Sequence, residues 1–179
     1  MQTQIVLTLI GPDRPGLVEA LSDEIARVGG NWEQSRMARL ADQFAGILRV
    51  SLPSARIADL SAGLKSLERH GLRIVVEASQ AADAPRGTVA MRLDVVGNDR
   101  AGIVRDISRA LAQRNVNVDE LETQCDEAPM GGGQLFRARA LLHAPQALTI
   151  GQLRTALEGI ADDLMVDLAL APRADESKR

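Results

Sequence analysis

Apolar side chains recur along the chain at two different periods, which predict strands and helices in turn. Val89, Met91, Leu93 and Val95 alternate with other residues, and this is the period of a strand half buried in a sheet. Strands are predicted over residues 3–10, 31–39, 43–52, 72–78, 88–96, 117–125, 135–143 and 164–170.

Other stretches follow the helical period. Leu17, Leu21 and Ile25 are spaced four residues apart, which places them on one face of a helix that Gly29-Gly30 ends. Helices are predicted over residues 17–28, 55–70, 103–111 and 147–161.

The chain also repeats itself at a shift of 86 residues. Nine of 34 positions are identical between residues 3–36 and 89–122. The second copy has six extra residues within the Gly-rich stretch 126–134. After them the two copies align at a shift of 92, which places Phe44 against Phe136. Such a repeat indicates two copies of one structural unit.

Each copy has the order β-α-β-β-α-β, the split βαβ of a ferredoxin-like sandwich, so the chain is predicted to be α+β. One face of each antiparallel sheet would pack against two helices. The other face would stay open to another sheet, another copy or a partner. The predicted organisation is a first domain at 1–78, a linker at 79–87, a second domain at 88–171 and a charged tail at 172–179.

Composition and charge argue against several functions. Hydrophobic residues make up 45% of the chain, which is typical of a globular protein, but aromatic residues make up only 2% and there is no Tyr. Base-stacking platforms and quaternary-ammonium cages both need aromatic rings. The net charge of −3 also lacks the basic surface of a nucleic-acid-binding domain. We therefore expect no direct contact with nucleic acid.

Reactive residues are few. The single Cys125 excludes an intrachain disulfide, and with His70 and His143 it offers little for a metal site. No nucleophile and base occur at a motif spacing, so we expect no enzyme activity, catalytic residue or cofactor. No signal peptide or membrane span is apparent at the N-terminus, which favours a cytoplasmic location without membrane contact.

The loop from Gly11 to Gly16 is the first candidate for chemistry. Asp13 is predicted to cap the following helix, with Pro15 in its first turn. The free N–H groups of that turn could hold a carboxylate, while the Asp13 carboxylate attracts an ammonium group, a combination that suits a small free amino acid. The alternative is an ordinary helix cap and turn that bind nothing.

Two further residue types accompany this loop. Arg14 could reach an anion, although first-turn arginines are more often solvated. Asn31 could contact a ligand beside the loop, although an Asn in a turn often bonds its own backbone. The candidate ligand-binding residues of the two copies are Gly11, Asp13, Arg14, Gly16 and Asn31, and Gly97, Asp99, Arg100, Gly102 and Asn117.

The GPDRPGL motif, the apolar helix after it, the Asn that follows and the βαββαβ order resemble the ACT domain. The second copy also resembles it, with Ala101 in place of the motif proline. ACT domains sense small molecules, commonly amino acids. The resemblance implies that a ligand lies where the first loop of one domain meets its neighbour, with the Asn after the helix contributing.

A stand-alone ACT pair with a Gly-rich insertion resembles, more narrowly, the glycine cleavage system transcriptional repressor group. That resemblance implies a regulator that senses glycine or a similar amino acid, acts through a protein partner such as a DNA-binding activator, and forms a homo-oligomer. The alternatives are an allosteric or accessory subunit of a metabolic enzyme, a catalyst, and an interaction module that has lost its ligand.

Overall fold

A computed structural model describes residues 1–69, 71–79, 87–127 and 133–172. The chain divides into two compact units, Met1–Ala84 and Pro85–Arg179. The domain boundaries drawn from the sequence stay predictions. His70, most of the predicted linker, the glycines at 131 and 132 and nearly all of the predicted tail lie outside the described residues.

The first unit follows the predicted order. Its elements are β1 (Gln2–Pro12), α1 (Leu17–Arg27), β2 (Asn31–Leu40), β3 (Gln43–Pro53), a 3-10 turn (Ser54–Arg56), α2 (Ile57–Glu68) and β4 (Arg73–Ala78).

The second unit has the same order. Its elements are β5 (Thr88–Asn98), α3 (Ile103–Ala112), β6 (Asn117–Glu127), β7 (Gln134–Pro145), α4 (Ile150–Leu164) and β8 (Val166–Pro172).

Each unit contains one four-stranded antiparallel sheet, with the strand orders β2-β3-β1-β4 and β6-β7-β5-β8. This is the ferredoxin-like α+β fold in two copies, and the predicted fold class is confirmed. The order matters for the site because β1 and β5 are inner strands. The loop that follows each of them therefore leaves from the middle of one end of a sheet.

The core of the first unit lies between its sheet and its helices. Leu17, Leu21 and Ile25 of α1 are buried, as their four-residue spacing predicts, and they belong to one apolar cluster with Leu7 of β1 and Leu60 of α2. A fully buried aliphatic side chain of this kind contributes roughly 1.5–3 kcal/mol to stability. No polar or charged residue is buried among the described residues.

The strands that precede the two loops are longer than predicted. β1 continues through Gly11 and Pro12, and β5 continues through Gly97 and Asn98. The expectation that Gly11 and Gly97 belong to a loop is therefore wrong. Both pair with a phenylalanine of the neighbouring strand, Phe44 or Phe136, so the ladder holds them extended.

Candidate functional site in the loop after the first strand of each unit

Two glycines border the first loop, and each is needed for a different reason. A Cβ on Gly11 would lie 2.7 Å from the backbone oxygen of Gly71, so only glycine lets β1 approach the segment before β4 this closely. Gly16 has a φ of 88°, a left-handed conformation that favours glycine, and it is the N-cap of α1. The loop is thereby reduced to residues 13–16.

The helix that follows has no side-chain cap. The Gly16 carbonyl accepts the first helical hydrogen bond, from the Ala20 amide, and no side chain bonds the free amides of the first turn. The expectation that Asp13 caps this helix is wrong, because the chain continues for two residues before the N-cap. Pro15 likewise precedes the helix rather than occupying its first turn. The partial positive charge of the N-terminus is left available to an anion.

The second loop has the same geometry. A Cβ on Gly97 would lie 2.5 Å from the Val166 side chain, and Gly102 has a φ of 100° as the uncapped N-cap of α3. The backbone amides of Asp13 and Asp99 also match, since each donates a 2.8 Å hydrogen bond to a carbonyl where the third strand of its unit begins, that of Asp42 or Gln134. Each aspartate therefore has its backbone fixed three residues before the N-cap glycine.

The two aspartates have different neighbours. The Asp13 carboxylate forms a 3.2 Å ion pair with Arg39 of β2. Cys125 occupies the position equivalent to Arg39, and desolvation, followed by the negative charge of Asp99 and a hydrogen bond to it, raises the pKa of the Cys125 thiol. No cation pairs with Asp99 among the described residues. A ligand ammonium would therefore have to compete with a guanidinium at Asp13 but not at Asp99.

The first helical turns differ in charge as well. If Gly16 carried a Cβ, a Glu19 carboxylate oxygen would lie 3.9 Å from it. If Gly102 carried a Cβ, a guanidinium nitrogen of Arg105 would lie 3.0 Å from it. Arg105 holds Asp106 through two hydrogen bonds, of 2.8 and 3.1 Å. These bonds lower the pKa of Asp106 and raise that of Arg105. An Asp106 carboxylate oxygen also lies 3.5 Å from the place of a Cβ on Gly102, so the second N-terminus carries an ion pair where the first carries a single negative charge.

The arginines that follow the aspartates do not make equivalent contacts. Arg100 donates a 2.6 Å hydrogen bond to the Asp163 carbonyl in the last turn of α4, where a cation complements the helix dipole. Arg14 is exposed and borders a depression of about 300 Å³ with Gly16, Leu67 and Leu72. Arg100 thus has a structural contact, while Arg14 faces an open space beside the first loop.

Asn31 and Asn117 lie far from these loops. Asn31 pairs with Ser51, which also pairs with Gln4, so it lies level with the start of β1 while the loop follows the end of β1. Seven residues of strand separate the level of Gln4 from Gly11, or roughly 23 Å at about 3.3 Å per residue. Within its own copy, Asn31 therefore lies at the opposite end of the sheet from the loop, because α1 carries the chain back there, and its contact with a ligand stays a prediction.

Asn117 has the same position in the second unit, and its side chain is engaged. Its amide donates a 2.7 Å hydrogen bond to Asp119, whose other carboxylate oxygen contacts Nδ1 of His143. No sequence motif connects His143 with these two residues. Strand register brings the three side chains together, since Asn117 pairs directly with His143.

Two further features bear on candidate functions. Within the described residues, no group of three His, Cys, Asp or Glu side chains has the arrangement of a metal site. Among those same residues, no helix is long and apolar enough to cross a membrane.

Sequence reasoning did not select Arg39, Glu19 or Arg105. A signal for Arg39 does exist in the repeat, because the 86-residue shift places it against Cys125, the one cysteine of the chain. The difference between a cation and a thiol at one position marks where the two copies diverge.

Comparison with known proteins agrees with this architecture. The profile of the ACT domain family matches residues 3–77, nearly the whole first unit, and a profile of a family of unknown function matches residues 130–178. The second unit repeats the strand order of the first. The first unit therefore matches the ACT domain family, and the chain contains two ACT-like units in tandem.

The chain is 22% identical over 165 residues to the glycine cleavage system transcriptional repressor of Escherichia coli K12, covering 91% of this chain and 86% of that protein. It is 31% identical to the solved structure of an unknown protein from Galdieria sulphuraria, with a TM-score of 0.88 and coverage of 97% and 100%. A structure provisionally assigned as a glycine cleavage system transcriptional repressor matches with 19% identity, a TM-score of 0.69 and coverage of 96% and 97%, and it supports the fold. The resemblance to this repressor group is confirmed.

Proposed function

We propose that this protein is a cytoplasmic regulator that senses a small amino acid and acts through a protein partner, without catalysing a reaction. The observation that carries the proposal is an uncapped helix N-terminus three residues after an aspartate, which occurs in both units. Free amides at a helix N-terminus suit a carboxylate, and the nearby Asp suits an ammonium group. An α-amino acid carries both groups on one carbon.

The second unit is the better amino-acid site in this proposal. Asp99 faces a thiol rather than a guanidinium, so its charge is available to a ligand ammonium. The adjacent N-terminus carries Arg105 paired with Asp106, whereas the first unit has Glu19 alone there, and its unbalanced negative charge would repel a carboxylate. The first unit matches the ACT motif more closely, but its Asp13 is already paired with Arg39.

A small side chain on the ligand is consistent with the composition of the loops. The aromatic residues of the chain are Trp32, Phe44 and Phe136, and none of them lies in either loop. Glycine and serine are therefore the first ligands to test. The candidate asparagines contribute in this proposal only to a ligand held by the loop of another domain or another chain, because of the strand distance to their own loops.

The regulatory part of the proposal is supported by similarity to the Escherichia coli repressor, which extends over 91% of this chain. The net charge of −3 does not favour direct binding to DNA, so the proposed target is a DNA-binding protein, such as an activator, rather than DNA itself. A pull-down from native cells tests this step. Recovery of a metabolic enzyme and no transcription factor would favour the accessory-subunit alternative.

Calorimetry with glycine, serine and leucine tests the sensing step. We expect at least one of them to bind, and a ligand at about 100 times its Kd should stabilise the protein by about 2.7 kcal/mol. No heat and no thermal shift with any amino acid would contradict the proposal.

Two matched variants test which unit binds. Asp99→Asn removes the carboxylate proposed to hold the ammonium group, and we expect a loss of affinity of about tenfold or more, since a charged hydrogen bond is worth about 1.5–3 kcal/mol. Asp13→Asn makes the same change at the equivalent position and should leave the affinity nearly unchanged. The reverse result would assign binding to the first unit.

A further inference from the structure

A cavity lies under α3 of the second unit, between this helix and the edge strand β6. Among the described residues that line it, Ser108 of α3 is the one polar residue. Its enclosed part measures about 30 Å³, and the empty space including the open mouth is about 380 Å³. Two of the lining side chains, Leu121 of β6 and Val104 of α3, are 50% and 41% exposed, so the cavity opens to solvent beside them. We call this space the flank pocket.

The first unit has a tryptophan at the equivalent place. The 86-residue shift aligns Trp32 with Val118 and Ser35 with Leu121, and both residues of the second unit line the flank pocket. Trp32 and Ser35 point to the helix side of their sheet, because each pairs with a buried residue of β3. The indole N–H of Trp32 donates a 3.3 Å hydrogen bond to Ser35 Oγ, and the ring packs against the core. The ring therefore spans the two positions whose counterparts border the flank pocket.

The floor of the flank pocket is also built from smaller side chains than its counterpart in the first unit. Ala140 of β7 stands where the first unit has Leu48. Val95 of β5 stands where the first unit has Leu9. Leu121 is larger than its counterpart, but it is half exposed and belongs to the rim rather than the floor. The second unit thus lacks both the ring and part of the packing that occupy this space in the first unit.

We propose that the flank pocket binds a small molecule with an aromatic ring, which occupies the space that the Trp32 indole fills in the first unit. One edge of the ring enters the enclosed part, and the rest lies in the open mouth against Val118 and Leu121. Burial of a ring removes a large apolar area from water, which favours binding. Water finds few polar partners in such a lining, so it competes weakly for the space.

The lining also defines the kind of ring. In the first unit, Ser35 accepts the hydrogen bond of the indole N–H. Leu121 offers no acceptor at the equivalent position, so a ring donor directed there would be buried without a partner, which weakens binding. The ring that fits is therefore a hydrocarbon ring such as a phenyl group.

The flank pocket is separate from the amino-acid site proposed at the second loop. Cys125 hydrogen-bonds with Asp99 of that loop, and it lies four residues along β6 from Leu121, or roughly 13 Å. A single free amino acid is too short to occupy both places. Binding of a ring in the flank pocket can therefore be tested independently of amino-acid sensing, and the failure of one proposal does not decide the other.

Titration of the full chain with toluene, followed by NMR of the methyl groups, tests the proposal. An aromatic ring shifts the methyl signals of the side chains next to it. We expect saturable shifts at Val104, Val118 and Leu121. Val18 is the matched control, because it is the counterpart of Val104 on α1 and is 47% exposed, but Trp32 occupies the space beside it. No saturable shift, or equal shifts at Val18 and Val104, would overturn the proposal.

An exchange of the two β-strand residues tests the position of the ring. Val118→Trp introduces the ring of the first unit into the flank pocket and should abolish the toluene shifts at Val104. Val118→Phe makes the same test with a smaller ring if the tryptophan variant does not fold.

Trp32→Val is the reciprocal change, and it should create a second toluene site that shifts the signals of Val18. Undiminished binding in Val118→Trp or Val118→Phe would overturn the proposal, as would a folded Trp32→Val variant in which toluene leaves Val18 unshifted. Circular dichroism of each variant verifies that it is folded.

Discussion

Gly11→Ala should destabilise the first unit because the backbone leaves no space for a methyl group. A Cβ at this position would lie 2.7 Å from the Gly71 oxygen and 3.0 Å from the Leu72 Cα, whereas ordinary contacts lie between 3.4 and 4 Å. The neighbours are backbone atoms, so no side-chain rotation relieves the contact. Leu72 is only 2% exposed, so a displacement there also disturbs the core.

The cost follows from these distances. The segment between α2 and β4 would have to move by about 0.7 Å, and overpacking of this kind costs about 1–3 kcal/mol. Replacing Gly by Ala also restricts the unfolded chain, which offsets about 0.4–1 kcal/mol. We therefore expect a net loss of about 1–2 kcal/mol.

Trp32 provides the measurement, because it is the one tryptophan of the chain and packs against the core of the first unit. Its fluorescence during urea unfolding should report a midpoint about 1 M lower for Gly11→Ala than for the wild type. The reason is that the free energy of unfolding of a unit of this size falls by about 1–2 kcal/mol per M of urea.

Gly63→Ala is the matched control in the same unit. A Cβ on Gly63 would lie only 2.0 Å from Glu24 Oε2 and 2.5 Å from an Arg27 nitrogen, but these atoms are the ends of two flexible side chains that pair with each other, and they can move aside. Alanine also favours the helix by about 0.8–1 kcal/mol, so we expect little net change. Equal midpoints for Gly11→Ala and the wild type, or a larger loss for Gly63→Ala, would refute the reasoning.

Two further predictions concern the second unit. Val118→Ile should stabilise it by about 1 kcal/mol, because Val118 lines a cavity of about 30 Å³ under α3. Filling a void recovers about 24 cal/mol per Å³, and burying a methylene contributes about 0.8 kcal/mol. Calorimetry that shows no gain in stability would mean that the cavity is too narrow for the added methylene. Cys125 should react slowly with thiol reagents at neutral pH, since desolvation, followed by the negative charge of Asp99, raises the pKa of its thiol. Asp99→Asn should accelerate that reaction, and an unchanged rate would contradict the contact between the two side chains.

The repeat and its periodicity were sufficient to predict the fold. The alternation around Leu93 and the four-residue spacing from Leu17 predicted the element types in both copies, and the βαββαβ order is confirmed. Strand ends were harder to predict, because β1 and β5 continue into residues of turn type. Gly11 and Gly97 are used there for close approach, which composition does not distinguish from a turn.

The site depended on information that periodicity does not contain. Asn31 follows the helix in sequence, but its distance from the loop depends on the direction in which each element crosses the sheet. The contact between Asp13 and Arg39 depends on strand register, and a bulge between Trp32 and Gln34 shifts that register. The position of that bulge was not apparent from hydrophobicity.

The charged outer surface of the second sheet has a consequence for what can cover it. Arg139 stands where the first sheet has Ile47, and it pairs with Asp94, while Arg137 pairs with Asp126. Taking such ion pairs out of water costs free energy that their mutual attraction repays only with good geometry. A partner that covers this surface would therefore need polar groups of its own, a demand that Ile47 does not make.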